Sequence, residues 1–126
     1  EAMAKYVELV VIEKYYGKQT MQGLIDYERR RFELTERTNS LKPSAIIDET
    51  QPHHQYSRAT LVFAKLRSEL GDQAIISAIQ QVWLQHQPPN RPAVALDFVS
   101  ALKKVSSHEH QKLIEQLLMT NDLSIL

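Results

Sequence analysis

The chain has 126 residues, the size of one domain, and its 15 basic and 15 acidic side chains cancel. This balance disfavours nucleic acid and anionic membranes as partners. The absence of cysteine excludes a disulfide framework and a thiolate site. No apolar run approaches the roughly 20 residues that cross a bilayer, so we expect this chain to be soluble.

Helical periodicity begins at the N-terminus. Apolar residues follow helical spacing over Ala2–Tyr16, and Gly17 ends the run. A second helix is predicted over Lys18–Thr38, where the basic triplet at 29–31 indicates a solvated face with ion pairs. Because Glu1 is the first residue and no cap or leader precedes the first helix, we expect the chain to be part of a longer protein.

The middle of the chain combines a long loop with the strongest helical pattern. Residues 39–52 lack periodicity and carry two prolines, which predicts a loop of the kind that often has a function. The helix that follows has apolar residues at three-and-four spacing, which we expect the fold to be organised around: Tyr56, Ala59, Phe63, Leu66 and Leu70. Gly71 is predicted to end it in the left-handed conformation, and Asp72 to cap the next helix.

The C-terminal part adds three shorter helices. The first, over residues 72–86, is predicted to bury Ile75, Ile79, Val82 and Trp83. A rigid QPPNRP connector separates it from a helix over 94–105, and a capping box at Ser106 and Glu109 starts the last helix. Residues 121–126 are expected to be frayed or docked. With no convincing strand, the sequence predicts an all-α fold, a helical bundle or stacked helical hairpins of about six helices.

Composition and spacing alone give no complete active site. The adjacent His53 and His54 are expected to point in different directions, His108 and His110 do not share a helix face, and His86 stands alone. These histidines therefore favour surface or capping roles over a metal site. The chain has no HExxH motif, no phosphate-binding glycine loop and no nucleophile elbow.

Two stretches together resemble the gluzincin aminopeptidases, the zinc metallopeptidase family of aminopeptidase N. They are EAMAKYVELVVIEKYYG at residues 1–17 and QPHHQYSRATLVFAKLRSELGD at residues 51–72. Glu1 resembles the family's glutamate in an E-x-x-A-x-Y start, and Tyr56 resembles its tyrosine before a helix that ends L-G-[DE]. The Asp97-Phe98 pair is similar to the D-F pair of the next helix. The segments EKYYGK and QKLIEQLL are similar to bacterial peptidase domains that follow an ABC-type transporter permease.

The resemblance implies that residues 1–126 are the C-terminal helical part of a metallopeptidase catalytic domain. It implies an upstream part of the same protein with an HExxH helix, which gives two histidine ligands and a general base. Glu1 would be the third zinc ligand, and Tyr56 would donate a hydrogen bond to the oxyanion formed from a peptide substrate. The parent would include a membrane permease domain as a further partner. The isolated chain, which lacks HExxH, is expected to be inactive.

Two alternative hypotheses remain open. In the first, the chain is a non-catalytic helical interaction module, including a peptidase-like domain that has lost catalysis. In the second, it is a free-standing helical adaptor. Without the resemblance, Tyr56 is interpreted as an amphipathic core residue at a helix start, and Glu1 has no role. A parent without an upstream HExxH would favour these alternatives.

Overall fold

The computed structural model describes residues 1–126 and contains six α-helices and no strand, which confirms the predicted all-α fold. The helices are α1 (Ala2–Tyr16), α2 (Lys18–Thr38), α3 (Ala59–Leu70), α4 (Asp72–Gln85), α5 (Ala95–Lys104) and α6 (His108–Met119). A 3₁₀ turn at Ile46–Asp48 interrupts the long loop, and a π-helical turn at His54–Arg58 leads into α3. None of the helices combines the length and the apolar character needed to cross a membrane.

Helix α3 lies at the centre of the fold, where it contacts α1, α2, α4 and α6. Its first five residues are all buried, so Leu61 and Val62 are enclosed as well as the predicted stripe through Ala59, Phe63 and Leu66. A helix that is covered on several sides must be apolar on several sides. The prediction that the chain is organised around this helix is therefore confirmed.

Two glycines join successive helices without any loop between them. Gly17 and Gly71 are the residues with positive φ, at 92° and 82°. Their ψ angles of 167° and 160° place both in an extended region that only glycine occupies readily. The prediction of a left-handed helical conformation for Gly71 was therefore wrong, because φ is positive as expected but ψ is extended. The result is a sharp corner between α1 and α2 and another between α3 and α4.

A cluster of polar side chains stabilises the corner at Gly71. Arg67 donates from Nε and Nη2 to the Asp72 carboxylate at 2.7 and 2.9 Å, and it forms an ion pair with Glu13 of α1. The Tyr6 hydroxyl donates to Asp72 Oδ1 at 2.9 Å. Burial and the hydrogen bond to Asp72 raise the pKa of Tyr6. These contacts hold α1 against the start of α4.

Two sequence predictions in the C-terminal half were wrong. Trp83 is 68% exposed instead of buried, because α4 packs mainly on α3 and α5 and its other face is left uncovered. The N-cap of α6 is Ser107, whose side chain accepts from the His110 N–H at 3.2 Å. Ser106, the predicted cap, instead donates its hydroxyl to the Leu102 carbonyl at the end of α5.

The C-terminal tail docks against the body of the protein. Leu123, Ile125 and Leu126 pack against the hydrophobic core. Arg29 Nη1 donates to the Leu126 carbonyl at 2.9 Å, so one member of the basic triplet holds the tail to α2. The other two arginines of the triplet are exposed, as the predicted solvated face requires.

Candidate functional site

A cavity of about 310 Å³ opens beside the first turn of α1, and we call it the Glu1 pocket. Eight of its 11 lining residues are hydrophobic, and they come from α1, the 3₁₀ turn, α3, α5 and α6. The three polar lining residues are Glu1, Glu49 and Gln55. The pocket is therefore mainly apolar, with a few polar groups at defined places, which is the usual character of a ligand site.

Glu1 occupies the N-cap position of α1, but its side chain does not cap the helix. Its backbone carbonyl accepts from the Lys5 N–H at 3.3 Å, which starts the helical ladder. The carboxylate is exposed and makes no hydrogen bond or ion pair within the chain. Because its oxygens are not engaged, Glu1 is free to contribute one carboxylate ligand to a metal ion.

Tyr56 lies in the π-helical turn that leads into α3, a type of turn that occurs frequently at functional sites. Its side chain is 38% exposed, which argues against the interpretation of Tyr56 as a core residue. The ring packs on α1, with Lys5 Nζ 5.9 Å from the ring centroid. The phenolic oxygen makes no hydrogen bond within the chain, so its O–H is available to a ligand.

The two residues implied by the resemblance lie at the same end of α1. Lys5, which contacts the Tyr56 ring, is one helical turn after Glu1. Gln55, the neighbour of Tyr56, lines the Glu1 pocket. Catalytic zinc needs three protein ligands. No histidine lies with Glu1 in a metal-ligating group.

The π-helical turn also brings together a group that the sequence did not predict, the Glu36–His53–His54 cluster. Nε2 of His53 lies 2.8 Å from Glu36 Oε2, and Nε2 of His54 lies 3.2 Å from the same oxygen. The two rings have centroids 4.3 Å apart. The expectation that these histidines point in different directions was therefore wrong.

Helix α2 explains why the two rings converge. Phe32 and Glu36 are one turn apart on α2, and both imidazoles lie against the Phe32 ring, with centroids 5.9 and 5.3 Å away. One face of α2 thus offers an aromatic surface and, one turn further on, a carboxylate. Sequence reasoning did not single out Glu36, because the only available signal was the histidine doublet after Pro52.

His54 is fully buried and lies between charges of both signs. Burial lowers the pKa of His54, and the Glu49 carboxylate opposes this effect. Arg58 Nη1 lies 3.3 Å from Nδ1 of His54, which assigns the acceptor role to Nδ1 and the proton to Nε2. The neutral ring is therefore the stable form in the folded protein.

Arg58 connects three separated parts of the chain. Its side chain is buried, and it donates to the carbonyls of Ser44 at 2.7 Å and Thr120 at 3.0 Å. Burial lowers the pKa of the Arg58 guanidinium, and nearby carboxylates, chiefly Glu49, act in the opposite direction. The guanidinium fork thus holds the long loop and the C-terminal tail to the start of α3.

Glu49 closes the long loop on itself. Its carboxylate accepts from the backbone N–H groups of Ser44, Thr50 and Gln51 at 2.9, 2.9 and 3.1 Å. Burial by itself would raise the pKa of Glu49, but these three hydrogen bonds keep the pKa below its usual range. A buried carboxylate therefore links the backbone of residues 44, 50 and 51 within the loop.

A second buried carboxylate, Glu28, is bound to the same turn. Ser57 donates its hydroxyl to Glu28 Oε2 at 2.5 Å, and both side chains are almost inaccessible to water. Together with Arg58 and His54, this contact fills the inner face of the π-helical turn with polar groups. Tyr56, on the same turn, is the residue whose side chain is exposed.

The Asp97-Phe98 pair has a structural role. Phe98 is buried, while Asp97 accepts from the Val94 N–H at 2.7 Å and thereby caps α5. Arg91 donates two hydrogen bonds to the same carboxylate and holds the pKa of Asp97 below its usual range. His86 also faces this group, with Nε2 3.6 Å from Asp97 Oδ2.

Comparison of the chain with protein-family models, with curated proteins and with solved structures gave no match in any of the three searches.

Proposed function

We propose that the chain is the downstream helical part of the catalytic domain of a zinc metallopeptidase of the aminopeptidase type. The observation that carries the proposal is that Glu1 lines a mainly apolar pocket with its carboxylate unpaired, while Tyr56, next to the pocket-lining Gln55, has an unpaired hydroxyl. These are the two residues to which the resemblance assigns chemistry. Most other polar side chains of the π-helical turn are buried and engaged.

Glu1 would act as one zinc ligand, and two histidines and the general base would come from an upstream HExxH helix of the same protein. Zinc, when bound, lowers the pKa of a coordinated water and polarises the scissile carbonyl. Glu1 suits this role because its carboxylate has no competing partner within the chain. Its position at the start of α1 ties the ligand to a long helix, which limits its movement.

Tyr56 would donate its phenolic O–H to the oxyanion that forms when a peptide bond is attacked. A single preorganised donor of this kind contributes roughly 2.7–4 kcal/mol to transition-state stabilisation. Two features support the role, namely the exposure of the side chain and the absence of an intramolecular partner for the hydroxyl. Lys5, packed on the ring, would limit the orientations that the ring adopts.

The Glu1 pocket would accept part of a peptide substrate. Its apolar lining suits a hydrophobic side chain, and Gln55 would supply a polar contact. The isolated chain would not hydrolyse peptides, because it contains neither the two histidine ligands nor the general base. A membrane permease in the parent belongs to the proposal through the resemblance alone.

The experiment that tests this proposal is to read the coding region upstream of the Glu1 codon and to assay the protein that it encodes. We expect an HExxH motif shortly before Glu1, bound zinc, and hydrolysis of peptide substrates. A parent without an HExxH motif would contradict the proposal, because Glu1 alone cannot hold catalytic zinc.

A non-catalytic interaction module is the second candidate, and one observation favours it. Helices α4 and α5 and the connector between them carry four large apolar side chains that are at least half exposed, namely Trp83, Leu84, Val94 and Leu96. Such a surface is typical of contact with another domain or protein. The same upstream sequence separates the two candidates, since only the peptidase requires HExxH.

A further inference from the structure

We propose that the Glu36–His53–His54 cluster is a divalent-cation site that binds Zn²⁺. One ligand atom from each residue lies within 4.8 Å of the other two. The site is formed by the end of α2 and the start of the π-helical turn, so it is separate from Glu1 and does not depend on the proposed peptidase function.

The donor set and its spacing suit zinc. Two imidazole nitrogens and one carboxylate oxygen form a common set of three protein ligands, with a fourth position open to water. Ligand atoms around tetrahedral zinc, at bond lengths near 2.0–2.1 Å, lie about 3.3 Å apart. The distances of 2.8 and 3.2 Å from Glu36 Oε2 to the two Nε2 atoms are close to this spacing. Small side-chain adjustments would therefore complete the coordination.

A buried nitrogen without a partner points independently to a ligand at this place. His54 Nε2 is inaccessible to water and has no hydrogen bond. Glu36 Oε2 is near, at 3.2 Å, but it does not lie in the direction of the ring N–H. Buried polar atoms are nearly always paired in folded proteins. A cation between Glu36 and the two rings would give Nε2 the partner that it lacks.

The surroundings of His54 are compatible with metal binding. Coordination through Nε2 of this buried ring moves the ring proton to Nδ1. Glu49 Oε2, 3.9 Å from Nδ1, would then accept that proton in a carboxylate–histidine–metal arrangement. Arg58 would lose its contact with Nδ1 but keep its hydrogen bonds to two backbone carbonyls.

A cation can reach the cluster from solvent. The side chains of Glu36 and His53 are 23% and 13% exposed. Glu36 also lines a surface groove, whose charged lining combines Arg29 and Arg37 with Glu33 and Glu36. These charges cancel in number, so the groove neither attracts nor repels a cation strongly.

Isothermal titration calorimetry of the 126-residue chain with ZnCl₂ at pH 7.5 tests the proposal. We expect one Zn²⁺ per chain, and at least tenfold weaker binding in Glu36→Gln and in His53→Gln. Both substitutions change partly exposed side chains, and circular dichroism would confirm that the helices remain. The matched control is His108→Gln, which removes an exposed imidazole of α6 and should bind as the unchanged chain does. Glu1→Gln tests for competing chelation at the N-terminus.

Absence of one-to-one binding would overturn the proposal, and the contacts of the two histidines with Glu36 would then be purely structural. Binding that is lost in Glu1→Gln but kept in His53→Gln would also overturn it, in favour of chelation at the N-terminus. Co²⁺ provides a readout that needs no variant, since a tetrahedral site gives intense visible absorption bands. Neither result bears on the upstream HExxH motif, so this proposal and the peptidase proposal fail separately.

Discussion

The two ends of helix α3 use polar side chains in opposite ways. Before its N-terminal end, Ser57 and Arg58 are each at most 1% exposed and bind parts of the chain that are distant in sequence. At its C-terminal end, Arg67 and Asp72 form ion pairs near the surface, with side chains 15% and 37% exposed. The same kinds of groups therefore act in two different dielectric environments.

The difference matters because the cost of an unpaired polar group depends on its access to water. A buried group that loses its partner keeps its full desolvation cost, whereas an exposed group replaces the partner with solvent. We therefore expect the N-terminal end of α3 to contribute more to stability. It also fixes the turn that carries Tyr56, while the C-terminal end mainly sets the angle between helices.

The largest effect is expected from Arg58→Met. The change would leave the Ser44 and Thr120 carbonyls without their donor and the nearby Glu49 carboxylate without a counter-charge. Loss of one partner from a buried charged group typically costs about 3–5 kcal/mol of unfolding free energy. Urea denaturation, monitored by circular dichroism, measures this loss of unfolding free energy.

Arg67→Met is the matched control for this prediction, and it should cost about 1 kcal/mol or less. Equal losses for the two arginines would contradict the contrast between the two ends of α3.

Ser57→Ala should have the next largest effect. Without the hydroxyl, the buried Glu28 carboxylate loses its donor at 2.5 Å. An unsatisfied buried acceptor costs about 1–3 kcal/mol, which chemical unfolding at neutral pH would detect. Ser68→Ala, which changes an exposed serine of α3, should alter stability little. A Ser57→Ala variant as stable as the unchanged chain would mean that water replaces the hydroxyl.

Gly71→Ala tests the corner at the C-terminal end of α3. A Cβ at this position meets no atom within 4 Å, so the cost would come from the backbone, with φ at +82°. A side chain in this glycine region costs about 1–3 kcal/mol. The control is Gly23→Ala inside α2, where a Cβ also meets no atom within 4 Å. Alanine should stabilise the protein there by about 0.5–1 kcal/mol. Thermal unfolding of both variants measures the difference. If Gly71→Ala and Gly23→Ala both destabilised the protein, the positive φ of Gly71 would not explain the loss.

Asp72→Asn is expected to have the smallest effect, and one that depends on pH. The hydrogen bond from Arg67 holds the pKa of Asp72 below its ordinary value of 3.8. The ionised form therefore stabilises the folded state above about pH 4, and this contribution is lost as the pH falls through the folded-state pKa. At neutral pH the variant should lose at most about 1 kcal/mol.

Acid denaturation curves measure this dependence, since the gap between the two proteins should narrow below pH 3.8. Glu69→Gln, which changes a carboxylate without an ion-pair partner, should leave the curve unchanged. A gap that widens as the pH falls would contradict the assigned sign.

The helices could be predicted from the sequence because their causes are local. Apolar spacing and the breaks at Gly17 and Gly71 gave the bounds of α1 and α2 and the corner before α4. Trp83 could not be placed, because a helical pattern identifies an apolar face but not which neighbour covers it. The cap of α6 was misplaced by one residue, since Ser106 and Ser107 have the same chemistry and only their backbone geometry distinguishes them.

The two candidate sites also differ in whether their features are local in the sequence. Glu1 and Tyr56 were identified through a resemblance of short local motifs, and their exposure at one end of α1 is compatible with it. The Glu36–His53–His54 cluster depends on how α2 packs against the π-helical turn, which spacing along the chain does not encode. The burial of Arg58 is equally non-local, because its partners are 14 and 62 residues away in the sequence.

The most direct test of the proposed function is the kcat for peptide hydrolysis of Tyr56→Phe in the whole parent protein, with zinc content measured on the same sample. We predict that zinc is retained and that kcat falls about 10²–10³-fold, the usual loss when one oxyanion donor is removed. Tyr27→Phe, which changes an exposed tyrosine of α2, should keep full activity. An unchanged kcat in Tyr56→Phe would contradict the assignment of this residue to catalysis.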